Sequence, residues 1–171
     1  SKVEDLNSKV EDVNSKVEDL KGKVEDLKGK VEEQDKKIEN IEDLNFVCDY
    51  GQIDVGSANT LDGHGDYLTM RFDNIYKSLT VEADYGSIKV DKLMKGFDLV
   101  SVRSDYTGIK MGLEEGISFN FTAKLSYGGF DYDGDNINYL KKNVKSSSKF
   151  YQGYVNQENS GSVIDIVSDY G

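Results

Sequence analysis

The first six heptads of the chain place apolar side chains at two positions of a seven-residue repeat. With Val3 counted as position a and Leu6 as position d, eleven of twelve such positions are apolar. The seam consists of Val3, Leu6, Val10, Val13, Val17, Leu20, Val24, Leu27, Val31, Gln34, Ile38 and Ile41. One helix cannot bury this stripe by itself, and a strict heptad keeps the stripe facing a partner in a left-handed supercoil. The pattern therefore predicts a long α-helical coiled-coil stalk over residues 1–45, and hence an oligomer.

The polar positions of the repeat support a helix but leave the number of strands open. Lysines follow aspartates at i, i+4 in the favourable order, in the pairs Asp5–Lys9, Asp12–Lys16, Asp19–Lys23 and Asp26–Lys30. Val at position a with Leu at position d favours a parallel dimer, whereas Ile38 and Ile41 favour a trimer or a higher order. A solvated single helix and an artificial tag are the alternatives to a native stalk.

Residues 46–171 follow a different pattern, built around tyrosine. All 18 Phe and Tyr residues lie here. The repeat ladder consists of Tyr50, Gly51, Tyr85, Gly86, Tyr106, Gly108, Tyr127, Gly128, Tyr170 and Gly171. Tyr85, Tyr106 and Tyr127 are 21 residues apart, and 43 residues separate Tyr127 from Tyr170. We interpret Phe72-Asp73-Asn74-Ile75 as a degenerate copy. A period near 20 residues indicates a solenoid.

Each copy has the chemistry of two short strands joined at a bend. Apolar or small residues alternate before each tyrosine, as in Leu79, Val81 and Ala83, which is typical of a strand with one buried face. After the tyrosine, the next apolar residue follows at three positions instead of two, as Ile88 follows Tyr85. The absence of Pro agrees with a backbone whose N–H groups pair between rungs. We expect a mainly β domain, a parallel β-helix with an antiparallel β-sandwich as the alternative.

Four segments of this domain carry a family resemblance: FDLVSVRSDYTGIKMGL, FNFTAKLSYGGFDY, FYQGYVNQ and VIDIVSDYG. With the five tyrosine copies, residues 46–171 resemble the adhesin-type family of secreted bacterial β-helix domains, best known in Bacteroidetes. The resemblance implies a right-handed parallel β-helix, a secreted, periplasmic or cell-surface location, and an adhesive or scaffolding role. It offers no catalytic residues. The last rung would lack its second strand, and its exposed end would need a cap that we do not find in the chain.

Charge and composition exclude several partners. The net charge is −11, made of −5 in residues 1–45 (nine Lys against fourteen Asp and Glu) and −6 in the rest. Neither part is basic, so we expect no nucleic-acid partner. No apolar run is long enough for a membrane span, and no signal peptide is present. The start without Met is typical of a mature or trimmed fragment.

Few residues suggest site chemistry. Residues 131–136 cluster three carboxylates around a turn, but their spacing does not match a calcium loop, and we expect no metal site and no cofactor.

Residues 133–162 break the rung pattern as an insertion. Its aromatic residues form a candidate ligand loop for a glycan or a protein: Tyr139, Phe150, Tyr151 and Tyr154. Four of the five repeat tyrosines directly follow an aspartate, and these aspartates could form a ladder that collects cations: Asp49, Asp84, Asp105 and Asp169.

These patterns predict a non-enzymatic adhesin-like or scaffolding module, with β-solenoid heads joined by the stalk. Several heads on one stalk would strengthen weak contacts by avidity. The alternative is a structural shaft, such as a segment of a phage tail fibre, which also joins coiled coils to repetitive β structure.

Overall fold

A computed structural model describes the backbone of residues 1–171 and the side chains of residues 1–25 and 38–171. The chain divides into two compact units, Ser1–Asp35 and Lys36–Gly171. The elements are α1 (Lys2–Gln34), β1 (Asp35–Val47), β2 (Gly51–Asp66), β3 (Leu68–Leu93), β4 (Leu99–Leu113), β5 (Phe119–Ser126), β6 (Ile137–Val144), β7 (Ser148–Val155) and β8 (Val163–Asp169). Among the described residues, no helix is both long and apolar enough to cross a membrane.

The first unit presents its apolar stripe to solvent. Seven seam side chains are between 42% and 66% exposed: Val3, Leu6, Val10, Val13, Val17, Leu20 and Val24. The predicted ion pairs are confirmed at Asp5–Lys9 (3.0 Å), Asp12–Lys16 (2.7 Å) and Asp19–Lys23 (2.9 Å). Leu27, Val31, Gln34 and the Asp26–Lys30 pair lie outside the described side chains.

The helix ends earlier than the heptads predict. The heptads place Ile38 and Ile41 in the seam, but both residues lie in strand β1 and pack against the solenoid core. Leu44, Phe46 and Cys48 pack against the same core. The reason is that the spacing of Ile38 and Ile41 fits a helix, while the alternation that follows through Cys48 fits only a strand. The predicted boundary at residue 45 therefore falls inside β1.

The second unit is a mainly β unit that forms a parallel β-solenoid. Its sheet order is β1-β2-β3-β4-β8-β5-β7-β6. Parallel pairing joins β2 to β3, β3 to β4, β4 to β8 and β8 to β5, whereas β5, β7 and β6 pair antiparallel. The antiparallel sandwich considered as an alternative is thus wrong for the central strands.

The core consists of equivalent apolar side chains stacked from rung to rung. Val55 pairs with Phe72, Ala58 with Ile75, and Leu61 with Leu79. All six are at most 2% exposed. Phe72 is therefore a core position within a strand, and the interpretation of Phe72–Ile75 as a further tyrosine-type copy is wrong.

The last strand does not lie where its place in the sequence predicts. The spacing of 21 residues suggested that the rungs of Tyr106 and Tyr127 are neighbours, but β8 lies between β4 and β5. Ile164 pairs with Val100 on one side and with Phe121 on the other. The alternating residues of β8 thus complete two interfaces at once. The expectation that this rung is an exposed end of the solenoid is therefore wrong.

The inserted residues 133–162 contain a β-hairpin rather than a loop. Strands β7 and β6 extend the sheet beyond β5 and cover that end of the solenoid. Strand β6 forms the edge of the sheet, and Lys141 and Lys142 on it are exposed. Charged side chains on an edge strand oppose pairing with another chain. The hairpin therefore serves as the cap that the solenoid needs at this end.

Candidate functional site: a ladder of stacked tyrosines

Six tyrosines stack along one corner of the solenoid. We call them the tyrosine ladder, in spatial order Tyr50, Tyr67, Tyr85, Tyr106, Tyr170 and Tyr127. Neighbouring ring centroids are 4.7–5.1 Å apart, and the ring planes deviate by at most 8°. Each side chain remains between 48% and 64% exposed. The ladder is therefore a continuous aromatic surface rather than part of the core.

Backbone conformation explains why the tyrosines share one direction. All six have φ between 49° and 65°, in the left-handed region that residues other than glycine seldom adopt. Such a conformation costs about 1–3 kcal/mol at each residue. Stacking returns about 0.5–1.5 kcal/mol for each aromatic pair. Rung-to-rung bonds also hold the corners, since the Tyr67 N–H donates to the Asp84 carbonyl oxygen at 2.8 Å.

The glycines predicted beside the tyrosines have different roles. A Cβ at Gly86 would lie against the backbone oxygen of Leu68, and one at Gly128 against that of Gly171. A Cβ at Gly171 would meet Ser168 Oγ and the Thr107 carbonyl oxygen. Gly51 has a φ of 131°, whereas a Cβ at Gly108 would meet no heavy atom within 4 Å. Close approach of neighbouring rungs therefore requires glycine at some corners but not at Gly108.

The structure brings together all five predicted tyrosines and adds Tyr67. Sequence reasoning missed Tyr67 because Leu68, not glycine, follows it. Two signals were present. Asp66 precedes Tyr67 as in four other copies, and Tyr67 lies 17 residues after Tyr50 and 18 before Tyr85.

Two substitutions of Tyr85 distinguish the contribution of ring stacking to stability from the cost of the left-handed backbone conformation. Tyr85→Gly removes two stacks but relieves the left-handed strain, whereas Tyr85→Val removes the stacks and places a β-branched residue in that region. We expect Tyr85→Val to be less stable than Tyr85→Gly by about 1 kcal/mol or more in urea unfolding, although Val has the higher strand propensity. A Val variant as stable as the Gly variant would contradict the left-handed corner.

A row of carboxylates accompanies the ladder. Asp66 pairs with Asp84, Asp84 with Asp105, and Asp105 with Asp169. Asp49 joins the row by accepting a hydrogen bond from the Asp66 N–H through its Oδ1 at 3.2 Å. Ser126 takes the position beside Tyr127. We call Asp49, Asp66, Asp84, Asp105 and Asp169 the aspartate row, and it makes this corner strongly acidic.

Desolvation and neighbouring charges shift the pKa of two groups at this corner, Asp105 and Tyr170. Partial desolvation, and then the carboxylates of Asp84 and Asp169, raise the pKa of Asp105 above its ordinary value. Desolvation, followed by neighbouring Tyr106, Tyr127 and Asp169, likewise raises the pKa of the Tyr170 phenol. The folded row therefore favours the protonated form of Asp105.

Asp105→Asn is expected to stabilise the protein at pH 7. Because the folded pKa of Asp105 is raised, its contribution to stability is present below the unfolded pKa and is lost as pH rises through the folded value. The gain should therefore disappear near pH 3, where the native carboxyl is protonated. Urea unfolding at both pH values checks this, with Asp73→Asn, an exposed carboxylate outside the row, as the control. An equal gain at both pH values would contradict the repulsion.

The four aromatic side chains of the candidate ligand loop differ in their exposure to solvent. Tyr151 is 8% exposed, and its ring lies 5.3 Å from that of Phe130 and 6.0 Å from that of Tyr139. Tyr139 stands edge-on to Phe121 at 5.9 Å. Phe150 and Tyr154, on β7, are half-buried. Tyr151 is thus part of the cap and unavailable to a ligand, which corrects its assignment; the four side chains do not form one open surface.

The other candidate metal-ligating and nucleophilic side chains do not form a second site among the described residues. In the part of the chain that the structure describes, no group of three or more His, Cys, Asp and Glu side chains is arranged to hold a metal ion. Cys48 is a half-buried free thiol directly after β1. The corner of the solenoid therefore offers phenol and carboxylate groups in two parallel rows.

Comparison of the chain with protein-family models, with curated proteins and with solved structures found no match in any of the three.

Proposed function

We propose that the protein is a non-enzymatic adhesive or scaffolding module whose contact surface is the tyrosine ladder with the aspartate row. The observation that carries the proposal is the exposure of six stacked tyrosines on a rigid β-solenoid. Tyrosine is enriched at protein interfaces because its ring contributes apolar area and its hydroxyl group can hydrogen-bond. Stacking fixes these side chains in advance, so a partner would lose little conformational entropy in ordering them.

The orientation of the rings favours a protein partner over a glycan. Each inner ring has both faces covered by its neighbours, so that edges and hydroxyl groups remain for contact. Sugars pack on aromatic faces, and among the rings of the ladder only the end members, Tyr50 and Tyr127, have a face without a stacked neighbour. The aspartate row adds negative charge along the same corner. We therefore propose a protein surface bearing Lys or Arg side chains as the ligand, with weaker binding at high salt.

The helix supplies the proposed multivalency. Its described seam residues form an exposed apolar stripe that a second copy of the same helix would bury by knobs-into-holes packing. We propose a coiled coil of two or three copies, each carrying a right-handed solenoid, at the surface of a bacterium or secreted from it. Several ladders on one assembly would convert weak single contacts into stable attachment.

Binding to arrays of matrix proteins and glycans tests the proposal. We expect the native chain to bind basic proteins, and the double variant Tyr67→Asn, Tyr106→Asn to bind them at least tenfold more weakly, because asparagine tolerates left-handed backbone but cannot stack. Tyr76→Asn is the matched control, since Tyr76 is 43% exposed and lies outside the ladder. Equal losses in both variants, or no bound surface on the arrays, would contradict the proposal.

The mass measured by light scattering distinguishes a module that assembles through its helix from an interwound fibre shaft. For the proposed module, residues 1–171 should form a dimer or trimer and residues 36–171 a monomer. An oligomeric solenoid would instead support the interwound fibre shaft, and a monomeric full chain would exclude assembly through the helix.

A further inference from the structure

The capping hairpin carries a basic segment on an acidic chain. Residues 137–149 contain four lysines and no aspartate or glutamate, although the net charge of the chain is −11. Pairing of β5, β7 and β6 aligns six side chains of mixed chemistry in two adjacent cross-strand rows, Lys124–Phe150–Asn143 and Thr122–Gln152–Lys141. We call these six residues the cap patch.

The cap patch lies on the outer face of the sheet. Ala123 and Leu125, on either side of Lys124, are buried in the core, and so is Tyr151 beside Phe150. Because successive side chains of a strand point to opposite faces, Lys124 and Phe150 point outward. The other members of the patch are exposed or half-buried. The patch is therefore accessible to a ligand.

The strand beside the patch does not neutralise its positive charge. Asp165 of β8 is the partner of Thr122, but this carboxylate already forms an ion pair with Arg103 at 3.0 Å. Val167 takes the position beside Lys124. The outer face of the cap therefore attracts anions, in contrast to the acidic tyrosine corner.

A cleft at the edge of the patch concentrates this charge. It has a volume of about 240 Å³ and is bounded in part by Phe150. Its lining includes three lysines and one carboxylate: Lys124, Lys145, Lys149 and Asp169. On the other side of the patch, Lys141 Nζ lies 5.3 Å from the centroid of the Phe150 ring. Small-molecule sites usually have volumes of about 300–1,000 Å³, so the cleft suits a single sugar unit with its anionic group.

The side-chain types of the patch favour a sugar over a protein or a simple polyanion. An aromatic ring offers an apolar surface to the C–H groups of a sugar, and the amides of Asn143 and Gln152 can both donate to and accept from hydroxyl groups. Lysine pairs with carboxylate or sulfate. Phe150 is the one aromatic or aliphatic side chain among the six, whereas protein interfaces usually have an apolar centre. A simple polyanion would use the lysines but neither the amides nor the ring.

We propose that the cap patch binds an acidic glycan, a polysaccharide with carboxylate or sulfate groups on its sugar units. One sugar unit packs on Phe150 and places its anionic group among the lysines of the cleft. The amides of Asn143 and Gln152 bind hydroxyl groups of that unit and its neighbour. The site uses no residue of the tyrosine ladder and does not depend on the function proposed for the ladder.

Isothermal titration calorimetry of the full chain with a heparin octasaccharide tests the proposal. Heparin carries both carboxylate and sulfate groups on its sugar units. We expect saturable binding that weakens at high salt, because charge pairs contribute to it. Linear polyphosphate of equal total charge has no sugar ring, and it should bind at least tenfold more weakly. Equal affinity for the two probes, or no binding of the octasaccharide at millimolar concentration, would overturn the proposal.

Lysine variants locate the binding. The double variant Lys124→Gln, Lys145→Gln should bind the octasaccharide at least tenfold more weakly than the native chain. The matched control is Lys92→Gln, Lys95→Gln, which removes two exposed lysines outside the cap and should leave the affinity unchanged. An equal loss in both double variants would show that the glycan responds to net charge alone and would refute the site.

Phe150→Leu tests the contact of the sugar with the ring. Leucine keeps an apolar side chain on the outer face but removes the aromatic surface, so we expect at least fivefold weaker binding of the octasaccharide. Binding of polyphosphate by the same variant should stay unchanged, which also shows that the variant is folded. Native affinity of Phe150→Leu for the octasaccharide, or a parallel loss for polyphosphate, would contradict the proposed contact.

Discussion

Deletion of residues 163–171 is expected to unfold the solenoid beyond β4, although it removes only the last nine residues. The reason is the position of β8, which pairs with β4 through seven residues and with β5 through seven. Without β8, strand β5 loses its parallel neighbour, and the cap of β6 and β7 remains attached only to β5. The apolar faces of Val100 and Phe121 would be uncovered together.

Hydrogen exchange checks this deletion. We expect loss of protection throughout residues 119–155, together with a lower unfolding temperature. Deletion of residues 1–9, which removes an equal length of exposed helix, is the control and should leave protection of the solenoid unchanged. If rungs stacked in sequence order, removal of the final one would leave residues 119–126 protected, because a terminal rung contacts only one neighbour. Protection of β5 in the deleted chain would thus contradict the strand order.

Phe72→Ala is expected to lower the free energy of unfolding by about 3–5 kcal/mol, the usual range for a fully buried phenylalanine. Phe72 is 1% exposed and stacks on Val55 within the core. Its loss would leave a cavity that the hydrogen-bonded strands on either side cannot close by moving inward.

Urea unfolding measures this loss, with Phe150→Ala as the matched control. Phe150 is half-buried on β7, and Lys141 Nζ lies 5.3 Å from its ring centroid, so its truncation should cost clearly less. Similar losses for both variants would show that Phe72 does not occupy a central core position.

The repeating features of the fold were predictable from the sequence. Alternation of apolar and polar residues before Tyr85 and Tyr106 indicated strands with one buried face. The change in apolar spacing from two to three positions after these tyrosines indicated a bend. Both signals arise within a few residues, because they follow from side-chain direction and local backbone conformation. The tyrosine ladder followed from the same local pattern, apart from Tyr67, where Leu68 replaces the glycine.

Two features were not predictable because they depend on competition between distant segments. The spacing of Tyr106 and Tyr127 is what neighbouring rungs would show, and no local signal indicates that β8 lies between them. The pairing of Ile164 with both Val100 and Phe121 exists only in the folded solenoid. Ile38 and Ile41 likewise have the spacing of a helix, and the packing of β1 on the core places them in a strand.

The roles of the insertion residues were also set by tertiary contacts. Tyr151 resembles a surface aromatic in sequence, since Lys, Gln and Ser surround it. Antiparallel pairing of β7 with β5 places it opposite Ala123 and against Phe130, where it closes the end of the core. A pattern of apolar residues alone does not distinguish such a cap from a binding loop.

Photochemical coupling of tyrosines to dityrosine, mapped by mass spectrometry, tests the ladder most directly. Both the strand order and the proposed contact surface depend on it. Tyr170 lies 4.7 Å from Tyr106 and 4.9 Å from Tyr127, measured between ring centroids. We predict coupled peptides that join Tyr170 to Tyr106 and to Tyr127. Coupling of Tyr106 directly to Tyr127, with Tyr170 uncoupled, would contradict the ladder.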